Sequence, residues 1–334
     1  MTSKAMPTAS PDAYPRVTVI GESLVDVITH PHKTGTSTAI RPGGSPLNVA
    51  IGCARLGMTT SLITHYGQDQ YGGMIEKHLT ANGVAALVGG HSPTSVATAN
   101  IDHAGAARYS IAITWDLNGT SLPALSAVES SRHVHAGSIA TVLPPGRDTV
   151  YTLLQAARGR ATISYDPNCR PAISGDVHST RRDIERFVAA SDIVKASNED
   201  LEWLYPDRTP DQTAHAWLKL GPAIVAVTRG EGGPVITNGR TMVQMPAREI
   251  EVADTVGAGD SFMAALISWL GTRNLLGAGA REKLKDLSPQ ALQNLLDYAN
   301  GAASITCSRP GADPPWAREL SDLFAAPADF RSVH

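Results

Sequence analysis

Three features of the sequence predict a three-layer α/β/α domain whose mostly parallel central sheet carries a small β-sheet lid. Short β-branched runs alternate with amphipathic stretches along most of the chain, the pattern of strands buried on both faces by crossover helices. Two pairs of more polar extended segments interrupt that alternation, and two glycine-rich turns each run straight into an apolar-periodic helix.

Arg16 to Ile20 reads as the buried first strand. Leu24 to Ile28 and Ser37 to Ile40 read as short extended pieces around a turn at 30–35, too polar for a sheet centre. In GGSPLNVAIGCARLG, Ser45 is expected to cap a helix, Pro46 suits its first turn, and Leu47, Ile51, Ala54 and Leu56 form its apolar face before Gly57 stops it. A strand at 61–64, a helix at 70–79 and a strand at 86–88 follow. The stretch 94–116 reads as two alternating strands joined by a turn at 103–106. Helices are then expected at 147–157, 180–190 and 198–204, alternating with strands at 161–165, 193–195 and 223–228. A short antiparallel pair near Val235 and Met242 precedes helices at 260–270 and 289–304. Residues 1–15 are polar and rich in proline, and read as a disordered tail; 16–334 then form one domain, with lid segments at about 24–42 and 94–116.

Composition narrows the function. A formal charge of −3 gives no basic footprint for nucleic acid or an anionic membrane, and no apolar run is long enough to span a bilayer. Cys53, Cys169 and Cys307 are widely spaced and odd in number, which suits reduced thiols in a cytoplasm. His133 and His135 alternate on a strand-like segment without the spacing or acidic partner of a metal site.

The strongest chemical signal is DTVGAGDSFMAALISWL, residues 254–270. Gly257 and Gly259 clear the side chains from a turn where backbone N–H groups meet an anion, and the helix start adds partial positive charge. The chain has no GxxxxGK[ST], and Phe262 stands where a dinucleotide fingerprint needs its third glycine. A carboxylate at a helix start is most often a cap, and Asp260 alone fits that role. Beside an anion nest it also fits a general base that accepts a proton from a hydroxyl attacking phosphorus.

Together, in this order and separation, GGSPLNVAIGCARLG and DTVGAGDSF resemble the two signatures of the ribokinase-like, or PfkB, carbohydrate kinases, and the resemblance spans nearly all of residues 16–316. It implies an α/β/α domain with a β lid, ATP and Mg²⁺ as co-substrates, and phosphorylation of a sugar hydroxymethyl group. Asp260 would be the base, and Gly257, Ala258 and Gly259 the anion hole. Asp26, Gly43, Gly44 and Asn48 match sugar-contacting positions, although an edge-strand carboxylate and a helix-surface amide describe Asp26 and Asn48 as well. SYDPNCRP is similar to the family's DPNxR element and puts Asp166, Asn168 and Arg170 at the sheet's C-terminal edge; a plain Asx-Pro turn is the other reading.

KASNEDLEWL corresponds to the NxxE region used for magnesium and phosphate, with a departure. One register sets Ser197 at the Asn position and Asp200 at the Glu position; a one-residue shift uses Asn198 and leaves Leu201 without a carboxylate. Asp200 is therefore placed ahead of Glu199 for holding magnesium through water. VTRGEGG matches a T-x-G-x-x-G turn that brings Thr228, Gly230 and Gly233 to the nucleotide, although it also reads as a simple β-turn; Thr255 and Asn300 join them, and Asp254 resembles the potassium site of potassium-activated members. GESLVDVI before GGSPLNVA is closer to fructokinases than to ribokinases, so fructose leads and 2-keto-3-deoxygluconate and ribose follow. Arg108, Trp115 and Arg170 are expected to line the sugar end. A homodimer through the lid is implied by the resemblance. A non-catalytic sugar or nucleotide sensor on the same fold is the contrasting reading.

Overall fold

The computed structural model describes residues 16–32, 35–101 and 107–325. The expected tail at 1–15 and the turn at 103–106 lie outside the described residues. From the first strand, β1 (Arg16–Ile20), the chain leaves the core as β2 (Leu24–His32) and β3 (Gly35–Gly43) and returns in α1 (Ser45–Arg55). Then β4 (Thr59–His65), α2 (Gln70–Ala81) and β5 (Ala85–Gly89) build one edge, before the chain leaves again as β6 (Ser95–Ile101) and β7 (Ala107–Ala112). α3 (Ser121–Ser130), β8 (His133–Gly137), α4 (Gly146–Ala157) and β9 (Thr162–Asp166) resume the alternation. It continues through α5 (Pro171–Ser174), α6 (Val177–Ala189), β10 (Ile193–Ser197), α7 (Asn198–Leu204), α8 (Pro210–Leu218) and β11 (Ile224–Thr228). β12 (Val235–Thr237), β13 (Met242–Gln244), α9 (Ala258–Gly271), α10 (Arg281–Lys285), α11 (Pro289–Cys307) and α12 (Ala317–Ala325) complete the fold.

The central sheet runs β13-β12-β11-β10-β9-β8-β1-β4-β5, parallel except for β12 and β13. Its middle strands are almost wholly buried because helices cover both faces, and polar residues they carry, such as His133, His135 and Ser164, are hydrogen-bonded to one another there. Two apolar clusters result. Val17 and Val19 of β1 face the one built with Leu47 of α1, Phe262 of α9 and Leu295 of α11. Ile20 faces the other, with Val128 of α3, Leu153 of α4, Phe187 of α6 and Trp217 of α8.

The segments at 24–43 and 95–112 form a separate four-stranded sheet, β3-β2-β6-β7, in which two antiparallel pairs are joined by the parallel β2–β6 contact. Both strands of the first pair are longer than the sequence suggested. α8 was not anticipated. Its start is marked in the sequence by Thr209 and Gln212, whose side chains bond reciprocally to each other's backbone N–H.

Ser45 does not cap α1. The cap position is Gly44, at φ 111, where a side chain would meet the Glu22 carbonyl 2.6 Å away; Ser45 is the first helical residue. α1 and α9 lie so close that a β-carbon on Gly52 would sit 2.6 Å from the Ala264 methyl. Gly52→Ala is therefore expected to cost about 1–3 kcal/mol through overpacking. Urea denaturation should show that loss, and Ala264→Gly in the same chain should recover part of it; an additive double mutant would contradict this packing.

Candidate active site

Asp260 lies in the first turn of α9 and is 7% exposed. Its Oδ1 accepts a hydrogen bond from Ser45 Oγ at 2.6 Å, and its Oδ2 one from Asn48 Nδ2 at 2.8 Å. Ser45 and Asn48 are three residues apart, hence on one face of α1, so the two glycine-rich segments meet at this carboxylate. Gly257 precedes the helix at φ 77, and a β-carbon there would lie 2.6 Å from that of Ala312. At this helix start the Gly257 and Gly259 N–H groups have no intrahelical acceptor, while Ala258 N donates to the Thr255 carbonyl at 3.3 Å.

The sequence reading missed the cation of this site. Lys195 is the third residue of β10, 4% exposed, and its Nζ donates to Asp166 Oδ2 at 2.9 Å. A β-carbon on Gly259 would be 2.6 Å from that Nζ, so the missing side chain lets the ammonium rest against the first turn of α9. An ammonium beside the positive end of a helix is unfavourable unless anions offset it. Burial works against the charge on Lys195, but Asp166, Asp200 and Asp260 outweigh it and hold its pKa above the usual value. Burial likewise pushes Asp166 up to about 6 against the pull of Lys195, with Asp200 and Asp260 adding to the rise. A lysine inside an otherwise apolar buried strand was the available signal, because buried charge is the exception that carries information.

Asp200 is 6% exposed and Glu199 is exposed on the outer side of α7. Asp200 accepts from Cys169 N at 2.7 Å and from Ser197 N at 2.8 Å, and Ser197 Oγ accepts from Asp200 N. The Cys169 thiol also lies against this carboxylate, which as an oxygen ligand would hold a metal through water. No group of three His, Cys, Asp or Glu side chains able to hold a metal occurs among the described residues.

On the acceptor side, Asp26 of β2 faces β3, where a β-carbon on Gly43 would lie 2.3 Å from Asp26 Oδ2. Burial raises the Asp26 pKa and the Arg170 charge opposes that rise. Arg170 Nη1 is steered by Asn168 Oδ1 at 2.7 Å, with Asn168 itself at φ 37, and Asn168 N donates to Asp166 Oδ1. Glu22 is a second unanticipated group here. It is 3% exposed, accepts from Ala140 N at 3.2 Å, and burial pushes its pKa up to about 7 against its hydrogen bonds and the Arg170 charge.

Trp115 does not reach this cleft. It is 2% exposed in the core, packed over Gly146, where a β-carbon would be 2.4 Å from the indole. The Arg108 side chain lies outside the described residues. Of the residues expected at the nucleotide, Thr228 ends β11, Gly230 at φ 50 faces open space, and Gly233 at φ 72 lies so close to the Met245 carbonyl that no side chain fits. Thr255 is exposed. Asn300 Nδ2 donates to the Pro246 carbonyl at 3.0 Å and so secures that loop. Asp254 accepts from Val256 N and Gly311 N, which ties the start of the glycine turn to the segment after α11. His133 and His135 are fully buried, hydrogen-bonded to Thr162 and Ser164, and burial pushes both to about 3, so they are neutral parts of the sheet core.

Residues 15–318 match the pfkB family carbohydrate kinase domain. This chain belongs to that family. The kinase is 33% identical over 287 residues to a fructokinase of Rhizobium leguminosarum bv. trifolii, an alignment covering 82% of this chain and 84% of the relative. A crystal structure of fructokinase with bound ATP from Xylella fastidiosa superposes with a TM-score of 0.81 at 19% identity, covering 93% of this kinase and 99% of that chain. A fructokinase from Vibrio cholerae, crystallised with fructose, ADP and a potassium ion, gives a TM-score of 0.74 at 22% identity over 92% of this chain and 98% of its own. These structures show the ribokinase-like fold.

The buried Glu22 makes a stability prediction. Its folded pKa is raised, from 4.5 to about 7, so its ionised form opposes folding and stability is lost as pH rises through that window. Glu22→Gln keeps an acceptor for Ala140 N without the charge. Thermal or urea unfolding should show the variant gaining up to roughly 3 kcal/mol on wild type at pH 8 and little at pH 4.5. A pH-independent difference would contradict a titrating Glu22.

Proposed function

We propose that this kinase transfers the γ-phosphoryl group of MgATP to the 6-hydroxymethyl group of fructose, with Asp260 as the general base. The carrying observation is the Asp260 carboxylate, fixed by Ser45 and Asn48 beside the Gly257 and Gly259 amides of the glycine turn. Asp260 takes the proton of the attacking hydroxyl, its oxygen bonds to phosphorus, and the bond from phosphorus to the bridging oxygen of ADP breaks. The Gly257 and Gly259 amides and Lys195 meet the charge on the transferring group, and Asp200 would hold magnesium, which would offset the charge of the phosphates.

Fructose as acceptor is supported by the fructokinase relative and by the Asp26, Gly43 and Arg170 surface. The exposed Arg170 fork also suits a carboxylate, which keeps 2-keto-3-deoxygluconate as the second reading. Asp254 is proposed as the potassium-responsive position and the β3 and β7 edges as the surface of a homodimer.

An ADP-release assay with fructose, ribose, 2-keto-3-deoxygluconate and adenosine, with and without potassium, tests the acceptor; fructose should give the highest kcat/KM. Asp260→Asn should lower kcat by a factor on the order of 10²–10⁴ while sugar binding, read by calorimetry, stays near wild type. Unchanged turnover would remove Asp260 as the base, and well-folded wild-type protein inactive on every sugar would turn the reading to a sensor. Lys195→Met should reduce kcat at least tenfold and weaken ATP more than sugar. An equal loss of both affinities would point instead to a collapse of the cleft.

A further inference from the structure

A second cavity, of about 630 Å³, opens at the opposite end of the sheet, where β8 and β9 begin rather than end. Four parts of the chain line it: the end of α3, the entry to β8, the turn between α4 and β9, and the loop from α9 into α10. Its size is that of a small-metabolite pocket, and its lining is polar.

The charges in it are unbalanced. Arg132, Arg160 and Lys283 contribute three cations and Glu129 one carboxylate. Arg160 and Lys283 form no ion pair or side-chain hydrogen bond among the described residues, whereas Arg132 donates through Nη2 to the Leu276 carbonyl at 2.8 Å and is held along Gly277. Arg132 is thus a fixed cation and the other two are free to close on a ligand. Cations gathered in a concavity attract polyanions and bind phosphate in charge-assisted hydrogen bonds. Glu129 and Asn274, also without side-chain partners among the described residues, offer an acceptor and an amide suited to hydroxyl groups.

We propose that this cavity binds a small phosphorylated polyol, a sugar ester carrying at least two negative charges, with phosphate on Arg132, Arg160 and Lys283 and hydroxyls toward Glu129 and Asn274. The site is separate from the phosphoryl-transfer centre, because that centre lies where the same strands end, at Gly137 and Asp166. Both can be filled at once.

The test uses full-length protein saturated with MgADP and titrated calorimetrically with fructose 1,6-bisphosphate, alongside the exposed charge reversal Arg160→Glu/Lys283→Glu and the milder Arg160→Ala. One bisphosphate should bind per chain, at least tenfold more weakly in the reversal and several-fold more weakly in Arg160→Ala, with basal kinase activity unchanged in both. Absence of binding, or binding equal in wild type and both variants, would overturn the site. Inorganic phosphate should bind at least tenfold more weakly than the bisphosphate; equal affinity would overturn the sugar-ester assignment.

Discussion

A carboxylate sunk at the start of a helix has to be held by hydrogen bonds from whatever lies next to it, and for Asp260 those come from Ser45 and Asn48. Much of the architecture serves that requirement. α1 must pack flush against α9, which the small pair Gly52 and Ala264 permits, and α1 must start where Gly44 can turn past the Glu22 carbonyl. The chain just after α11 must then press on Gly257 through Ala312, an approach that only glycine at that left-handed position allows.

The charges around that turn form a set that is unfinished without substrate. Lys195 carries one positive charge among Asp166, Asp200 and Asp260, so the cluster is negative overall. Phosphate oxygens alone would be repelled by it, and a nucleotide carrying a divalent cation would not. The ammonium is already in position, held by Asp166, so little reorganisation is needed when phosphate arrives.

Much of this was legible in the sequence, and the exceptions share a cause. The glycine turns, the place of Asp260 at a helix start, and the register that buries Asp200 and exposes Glu199 follow from local pattern, because backbone conformation and helix register are local properties. Ser45 was misassigned because a serine before a helix normally caps it, and only the fold shows that Asp260 claims its hydroxyl. Lys195 and Glu22 were overlooked because their meaning depends on burial, which a short strand or turn does not reveal. Trp115 was placed at the sugar end on chemistry alone, while the smallness of Gly146, thirty-one positions along, decides that it belongs in the core. The bond from Asn300 to the Pro246 carbonyl spans fifty-four positions and so has no local signature.

The four-stranded sheet gives the cleft its Asp26 and Gly43, whereas Asp260, Lys195, Asp166 and Asp200 all stand on the central sheet and its helices. On the proposed reading, the outer sheet supplies part of the acceptor surface and Arg170 the rest, while the base stands wholly inside the main domain. A substitution on the solvent side of the outer sheet would then reach the acceptor before it reached the reacting carboxylate, and one in the packed interior would reach the carboxylate first.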